Sequence, residues 1–190
     1  MKKHIICLGD SNTHGYCADP ADCADGGARF NENERWTCLL QKALGEEYLV
    51  LEEGLSGRTT VFSDPLHEAM PALDVADPVL MSHEPVDLLI IMLGTNDTKE
   101  RFSVNPACIA RGLERLVDKC KCIPCWGDHK PNILLIAPPS HRRRDGAFRC
   151  DARHGPRLRR QVPGAGQMVR PRGPEPGLCL PGCPGRCGIQ

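Results

Sequence analysis

The sequence predicts a three-layer α/β/α domain on a parallel, doubly wound sheet, and three observations carry that prediction. Short apolar runs without polar alternation recur through the first 139 residues, each closes on a polar loop, and stretches with helical spacing separate them. A strand that does not alternate has both faces covered, as parallel strands between helices do.

The elements follow in order. His4 to Leu8 is an apolar run closed by Gly9-Asp10-Ser11-Asn12, which reads as a buried strand entering a turn. Trp36, Leu39, Leu40, Ala43 and Leu44 recur at helical spacing, and Gly45 stands where a helix C-cap belongs. Tyr48 to Leu51 forms a second strand and Asp87 to Leu93 a third, the latter followed at once by Gly94-Thr95-Asn96-Asp97. Ile109, Leu113, Leu116 and Val117 give another helical stripe, and Asn132 to Ala137 a fourth strand before Pro138-Pro139. Sheets of this kind put their chemistry at the carboxyl ends of the strands. Three polar, glycine-bearing loops converging there would build a site.

A length of 190 residues suits about one domain. The formal net charge of zero conceals an asymmetry: residues 1–139 hold 13 Lys and Arg against 21 Asp and Glu, whereas residues 140–190 hold 11 Arg, no Lys and 3 acids. No apolar run reaches the roughly 18 residues a membrane span needs, and the apolar stretch behind Met1-Lys2-Lys3 is too short for a secretory signal. The expected setting is therefore cytoplasmic, with no membrane partner. Twelve cysteines scattered through strand-like and helix-like segments, with no export signal, read as reduced thiols.

Ser11 stands at a strand-to-turn junction, where a hydroxyl can be presented at the sheet edge with backbone N–H donors nearby. Asn96, after another strand, offers a side-chain amide donor, and Gly57 offers a backbone N–H that a substrate oxygen can approach closely. A serine with three convergent donors is an acyl-transfer constellation. Each piece also has a plainer reading: Gly9-Asp10-Ser11-Asn12 as a capped turn, Gly94 to Asp97 as a helix start, and Ser56-Gly57 as a loop.

Taken together, four stretches are recognisable: Gly9-Asp10-Ser11-Asn12-Thr13-His14-Gly15, Arg35-Trp36, Glu53-Gly54-Leu55-Ser56-Gly57-Arg58-Thr59-Thr60, and Asp87 through Gly94-Thr95-Asn96-Asp97-Thr98-Lys99. In order and spacing they resemble the SGNH (GDSL-like) hydrolases, in particular the arylesterase and acyltransferase-like branch, from about Lys3 to Pro139. The resemblance implies a flavodoxin-like sheet and an esterase or acyltransferase acting on a small-molecule ester, with no metal or organic cofactor. It makes Ser11 the nucleophile, gives the oxyanion hole to the N–H groups of Ser11 and Gly57 and the Asn96 side chain, and makes Asp10 a supporting neighbour. Tyr16, Trp36 and Phe62 stand as candidates for an acyl or alcohol pocket, with ordinary packing as the alternative.

The family's acid and base come from an Asp-x-x-His motif after a further helix and strand. Asp151-Ala152-Arg153-His154 has that spacing, but it follows Pro139 too closely and lies in an Arg-rich stretch without apolar periodicity, so it is disfavoured as the dyad. His14, His67, His83 and His129 stand in no such motif. Residues 140–190, rich in Arg, Pro and Gly, show neither period and predict a disordered tail. Read one base later, the same stretch can regain helical spacing, and Met168 before Val169 forces a tryptophan codon in that frame. The expectation is thus a hydrolase-like domain over 1–139, incomplete at its C-terminal end, followed by an out-of-frame tail. Two outcomes stay open: an active serine esterase, or an inactive truncated product lacking its acid and base.

The basic run His141-Arg142-Arg143-Arg144 has no interleaved aromatics for base stacking, so no nucleic-acid partner is expected. Cys120-Lys121-Cys122-Ile123-Pro124-Cys125 with His129 carries soft ligands at high density, though not at a common zinc spacing, and reads as a helix-to-strand loop with incidental cysteines. The sequence sets no oligomeric state.

Overall fold

The computed structural model describes residues 1–139 of the chain. Within them β1 (Lys3–Gly9), β2 (Tyr48–Gly54), β3 (Leu88–Met92) and β4 (Ile133–Leu135) pair in parallel in the order β2-β1-β3-β4. This is the doubly wound, flavodoxin-like order, and the chain reverses its direction of travel across the sheet between β1 and β3. Ligands bind outside the carboxyl ends of the strands at such a switch point.

The central strands are apolar throughout because both faces are covered: Ile5 to Leu8 in β1 and Leu89 to Met92 in β3 are buried. On one face Ile5, Cys7 and Ile90 pack under α2 (Trp36–Leu44), which contributes Trp36, Leu40 and Leu44. On the other, Ile6, Leu8, Leu89 and Ile91 join residues of α3 (Ala72–Met81) and α4 (Pro106–Cys122), among them Ala76, Leu80, Leu116 and Val117. Gly45 closes α2 as the sequence predicts, its N–H bonding to the Gln41 carbonyl at 3.1 Å. Asn105 caps α4 through the Cys108 N–H at 2.9 Å, with Pro106 in the first helical position, where its missing N–H costs nothing.

Three elements depart from the sequence reading. Helix α3 lacks a strong apolar stripe and carries Pro78 in its interior; what seats it is Ala72, Ala76 and Leu80, four residues apart and without exposed surface. Strand β2 runs three residues past its apolar run, because the two acids there find partners. Glu52 accepts from Arg35 Nε and Thr37 Oγ1, both at 3.0 Å, and Glu53 pairs with His83 Nε2 at 3.2 Å. Strand β4 is shorter than Asn132 to Ala137; it pairs only with β3 among the described residues, and Leu134 at its centre is 47% exposed.

The Glu52 cluster ties α2 to the sheet. Burial pushes the Glu52 carboxyl up, but hydrogen bonds from Arg35, Cys38 and Thr37 outweigh it and hold the group below its ordinary 4.5. A carboxylate depressed on folding contributes stability that is complete above its unfolded value and disappears as pH falls through its folded value. Glu52→Gln is therefore expected to lower Tm at pH 7 and to converge on the parent as pH falls through the depressed folded value of the carboxyl, read by thermal melts from neutral to acid pH.

Candidate active site

The site is built by register. Gly9 at the end of β1 lies opposite Gly54 of β2 on one side and Met92 of β3 on the other, so the loops after these strands leave one edge together. In the first, Asp10 caps the short helix α1 (Ser11–His14), its Oδ1 accepting from the Asn12 N–H and Nδ2, both at 2.9 Å. Asp10 has no exposed surface; burial raises its carboxyl above the ordinary range, while the Asn12 donors pull it back. Ser11, the first helical residue, is half-buried, and among the described residues none makes a hydrogen bond to its hydroxyl.

Helix α1 lies hard against the second loop. A Cβ on Gly54 would stand 2.2 Å from the His14 nitrogen and 2.6 Å from the Thr13 carbonyl carbon, so only glycine admits the helix. Gly54→Ala must push α1 off the sheet edge and is expected to cost about 2–3 kcal/mol, as overpacking against backbone does. Urea denaturation checks it; an unchanged midpoint would contradict this packing.

Arg58 ties the second loop to the first: its Nη1 donates to the Gly9 carbonyl at 3.4 Å and, in a shorter bond, to the Glu53 carbonyl. The guanidinium is buried, and desolvation lowers its pKa against the opposing pull of Glu53 and Asp10. Gly57 turns with φ +96°, a left-handed conformation open to glycine, and a Cβ there would meet Met70 Sδ at 3.3 Å.

The third loop closes on the second. Asn96 is buried and donates from Nδ2 to the Arg58 carbonyl at 3.0 Å. Asp97, with no exposed surface, accepts from the Thr60 N–H at 3.0 and 3.2 Å and also from the Thr60 hydroxyl. Burial raises the Asp97 carboxyl, the two Thr60 donors lower it, and the nearby Asp10 charge raises it further. Asn96 thus meets the residue following Gly57.

The predicted residues Asp10, Ser11, Gly57 and Asn96 therefore sit on three loops knit together at one sheet edge. Sequence reasoning missed the connecting groups Arg58, Thr60 and Asp97; their signal was a run of polar residues directly after apolar strands, where buried polar side chains need partners. Of the two readings of Trp36, pocket or ordinary packing, the structure gives packing: at the start of α2 it lies against the cluster of Ile5, Cys7 and Ile90. Tyr16 is 50% exposed, and Phe62 lies against Phe102 with ring centroids 6.2 Å apart.

No described histidine hydrogen-bonds to Ser11. The His83 side chain is engaged with Glu53, and the backbone N–H of His129 bonds to the Trp126 carbonyl at 3.1 Å. Asp151, His154 and the predicted tail over 140–190 lie outside the described residues. At the loop of cysteines, Cys120 and Cys125 are buried with Trp126, whose indole N–H bonds to the Cys120 carbonyl, and Cys122 is exposed. Burial pushes the Cys120 thiol up to about 12 and Cys125 to about 11, which favours protonated core thiols over thiolate ligands. No helix among the described residues is long and apolar enough to cross a membrane.

The fold has counterparts among solved structures. An aryl esterase of M. smegmatis, solved with an inhibitor, is 38% identical over 72% of this chain and 64% of its own, with a TM-score of 0.64. A carbohydrate acetylesterase from Sinorhizobium meliloti is 37% identical over 73% of this chain and 65% of its own, with a TM-score of 0.64. The chain thus spans just under two thirds of the length of each. No curated protein gives a significant match. Residues 7–166, running past the expected boundary at 139, match the GDSL-like Lipase/Acylhydrolase family. On that match and these likenesses, the chain belongs to the GDSL-like lipase/acylhydrolase family of SGNH hydrolases.

Proposed function

We propose that the chain is a serine esterase working through an acyl-Ser11 intermediate. What carries the reading is the joining of three post-strand loops at one sheet edge, with a half-buried Ser11 hydroxyl on the first, the Gly57 turn on the second and the buried Asn96 amide on the third. Ser11 Oγ attacks the ester carbonyl carbon and loses its proton to a general base; the alcohol or phenol leaves, and water or a second alcohol takes the acyl group from Ser11. The oxyanion formed in each step rests on the Ser11 and Gly57 N–H groups and on Asn96 Nδ2, with Asp10 fixing the turn that presents Ser11. No step uses a metal or organic cofactor. The base is assigned to no described residue.

The substrate class is a small carboxylic ester, aryl or acetyl, in keeping with the aryl esterase and carbohydrate acetylesterase likenesses. A reducing, cytoplasmic setting belongs to the same reading, supported by the free cysteines at Cys7, Cys17, Cys23 and Cys38. With p-nitrophenyl acetate the chain should release a burst of p-nitrophenol stoichiometric with protein, then turn over at the slower deacylation rate. Release at the spontaneous rate alone would support the inactive product instead. That residues 140–190 are read out of frame is part of the proposal; sequencing the coding DNA across the Pro138 to Arg144 codons decides it, and an intact frame confirmed by peptide mass would overturn it.

A further inference from the structure

We infer that Arg58 is a positioning residue for the Asn96 donor of the proposed oxyanion hole: its guanidinium anchors the second loop to the sheet edge, and its main chain carries that anchorage to Asn96. The inference rests on the esterase reading. Arg58 is only 6% exposed, and one nitrogen, Nη1, donates both to the Gly9 carbonyl at the end of β1 and to the Glu53 carbonyl near the end of β2. These strands are neighbours, so a single charged donor bridges their carboxyl ends. The Gly9 carbonyl also accepts the Leu55 N–H at 3.1 Å, so side chain and main chain of the second loop meet on one acceptor two residues before Ser11. Burying a cation costs stability that an apolar side chain would not lose, so packing alone does not account for the guanidinium.

The main chain of the same residue reaches the other donors. The Arg58 N–H closes a four-residue turn on the Leu55 carbonyl at 3.0 Å, with Gly57 at its third position, where a left-handed residue belongs. That closing bond uses the N–H of Arg58 and not the N–H of Gly57. The Arg58 carbonyl accepts from Asn96 Nδ2 at 3.0 Å. One residue therefore bonds to all three loops: to Gly9 through its side chain, to Leu55 through its N–H and to Asn96 through its carbonyl. With one Asn96 N–H committed to that carbonyl, the direction of the second is set by where the carbonyl stands. A shift of Arg58 is thus a shift of the Asn96 donor.

The test compares the parent with Arg58→Met, Arg58→Lys, Asn96→Ala and the Arg58→Met/Asn96→Ala double variant by steady-state kinetics on p-nitrophenyl acetate, with Ser11→Ala as background. Exchange of the Asn96 side-chain amide protons, followed by NMR, is compared between the parent and Arg58→Met. Arg58→Met is expected to lower kcat about tenfold at nearly unchanged KM and to speed the Asn96 exchange about tenfold, since small displacements of a positioned group are costly. In the Asn96→Ala background the same replacement should lower kcat about threefold or less, because residues that act through one another are not additive. Arg58→Lys should recover part of the loss, one ammonium having donors for both carbonyls. A full tenfold loss repeated in the Asn96→Ala background overturns the inference, and so does a parent-like kcat in Arg58→Met with only Tm lowered. Should Arg58→Met not fold, Arg58→Gln takes its place in both backgrounds and is judged by the same results. Turnover independent of Ser11 defeats the esterase reading instead, and Asn96 exchange at the parent rate then still overturns the role given to Arg58.

Discussion

Replacing Ser11 by alanine is expected to lower kcat/KM for a short aryl ester by about 10⁴-fold or more, to the level of the background reaction. The magnitude follows from the chemistry: without the hydroxyl no acyl-enzyme forms, and the oxyanion donors alone can assist only direct attack by water. Stability should barely move, because Ser11 is half-buried and no described residue hydrogen-bonds to its hydroxyl. A change within about 0.5 kcal/mol is typical of such positions. Loss of turnover with an unchanged Tm is thus the expected pair of results. Loss of both would place Ser11 in the scaffold, as the N-terminal residue of α1 and nothing more.

The second large effect is expected at Asn96. Asn96→Ala should cut kcat by about 10²–10³-fold with little change in KM, as removal of one oxyanion donor does elsewhere. A side-chain amide carries two N–H groups, and the bond to the Arg58 carbonyl engages one of them, leaving the other for an oxyanion. The same bond holds Asn96 in one rotamer, so its donor is oriented before substrate arrives. The scaffold around it rests on Asp97 and Thr60, which Asn96→Ala leaves untouched. Kinetics on the folded variant check this; a kcat within twofold of the parent would remove Asn96 from the oxyanion hole.

Much of this architecture was legible in the sequence, and the reasons are specific. Strands β1 and β3 announce themselves because two-sided burial forces unbroken apolar runs, and α2 because Trp36, Leu40 and Leu44 share the face that meets the sheet. Helix α3 was silent for the opposite reason. Its contact positions Ala72 and Ala76 are small, so they carry little hydrophobic signal, and Pro71 and Pro78 punctuate the segment as if it were a loop. What forms it is close packing on α4 and the sheet, a tertiary effect no local pattern reports. In the site, Ser11, Gly57 and Asn96 could be named from the loops that carry them, but Asp97 could not be given a task. Only the fold brings Thr60, 37 residues earlier, onto its carboxylate.

The two halves of the charge distribution acquire different meanings in this light. The acidic excess of residues 1–139 belongs to the described domain, where Glu52, Asp64 and Asp97 are committed to holding loops and helices in place. The arginines of residues 140–190 lie outside it, so the neutral sum of the whole chain describes no single surface.

The central claim, that Ser11 is the nucleophile of an esterase site, is tested most directly by covalent trapping. After incubation with a fluorophosphonate, intact-protein mass and peptide mapping should show one adduct, on the peptide containing Ser11, formed faster than on any other serine and absent from Ser11→Ala. An unlabelled chain, or a label that persists in Ser11→Ala, would contradict it.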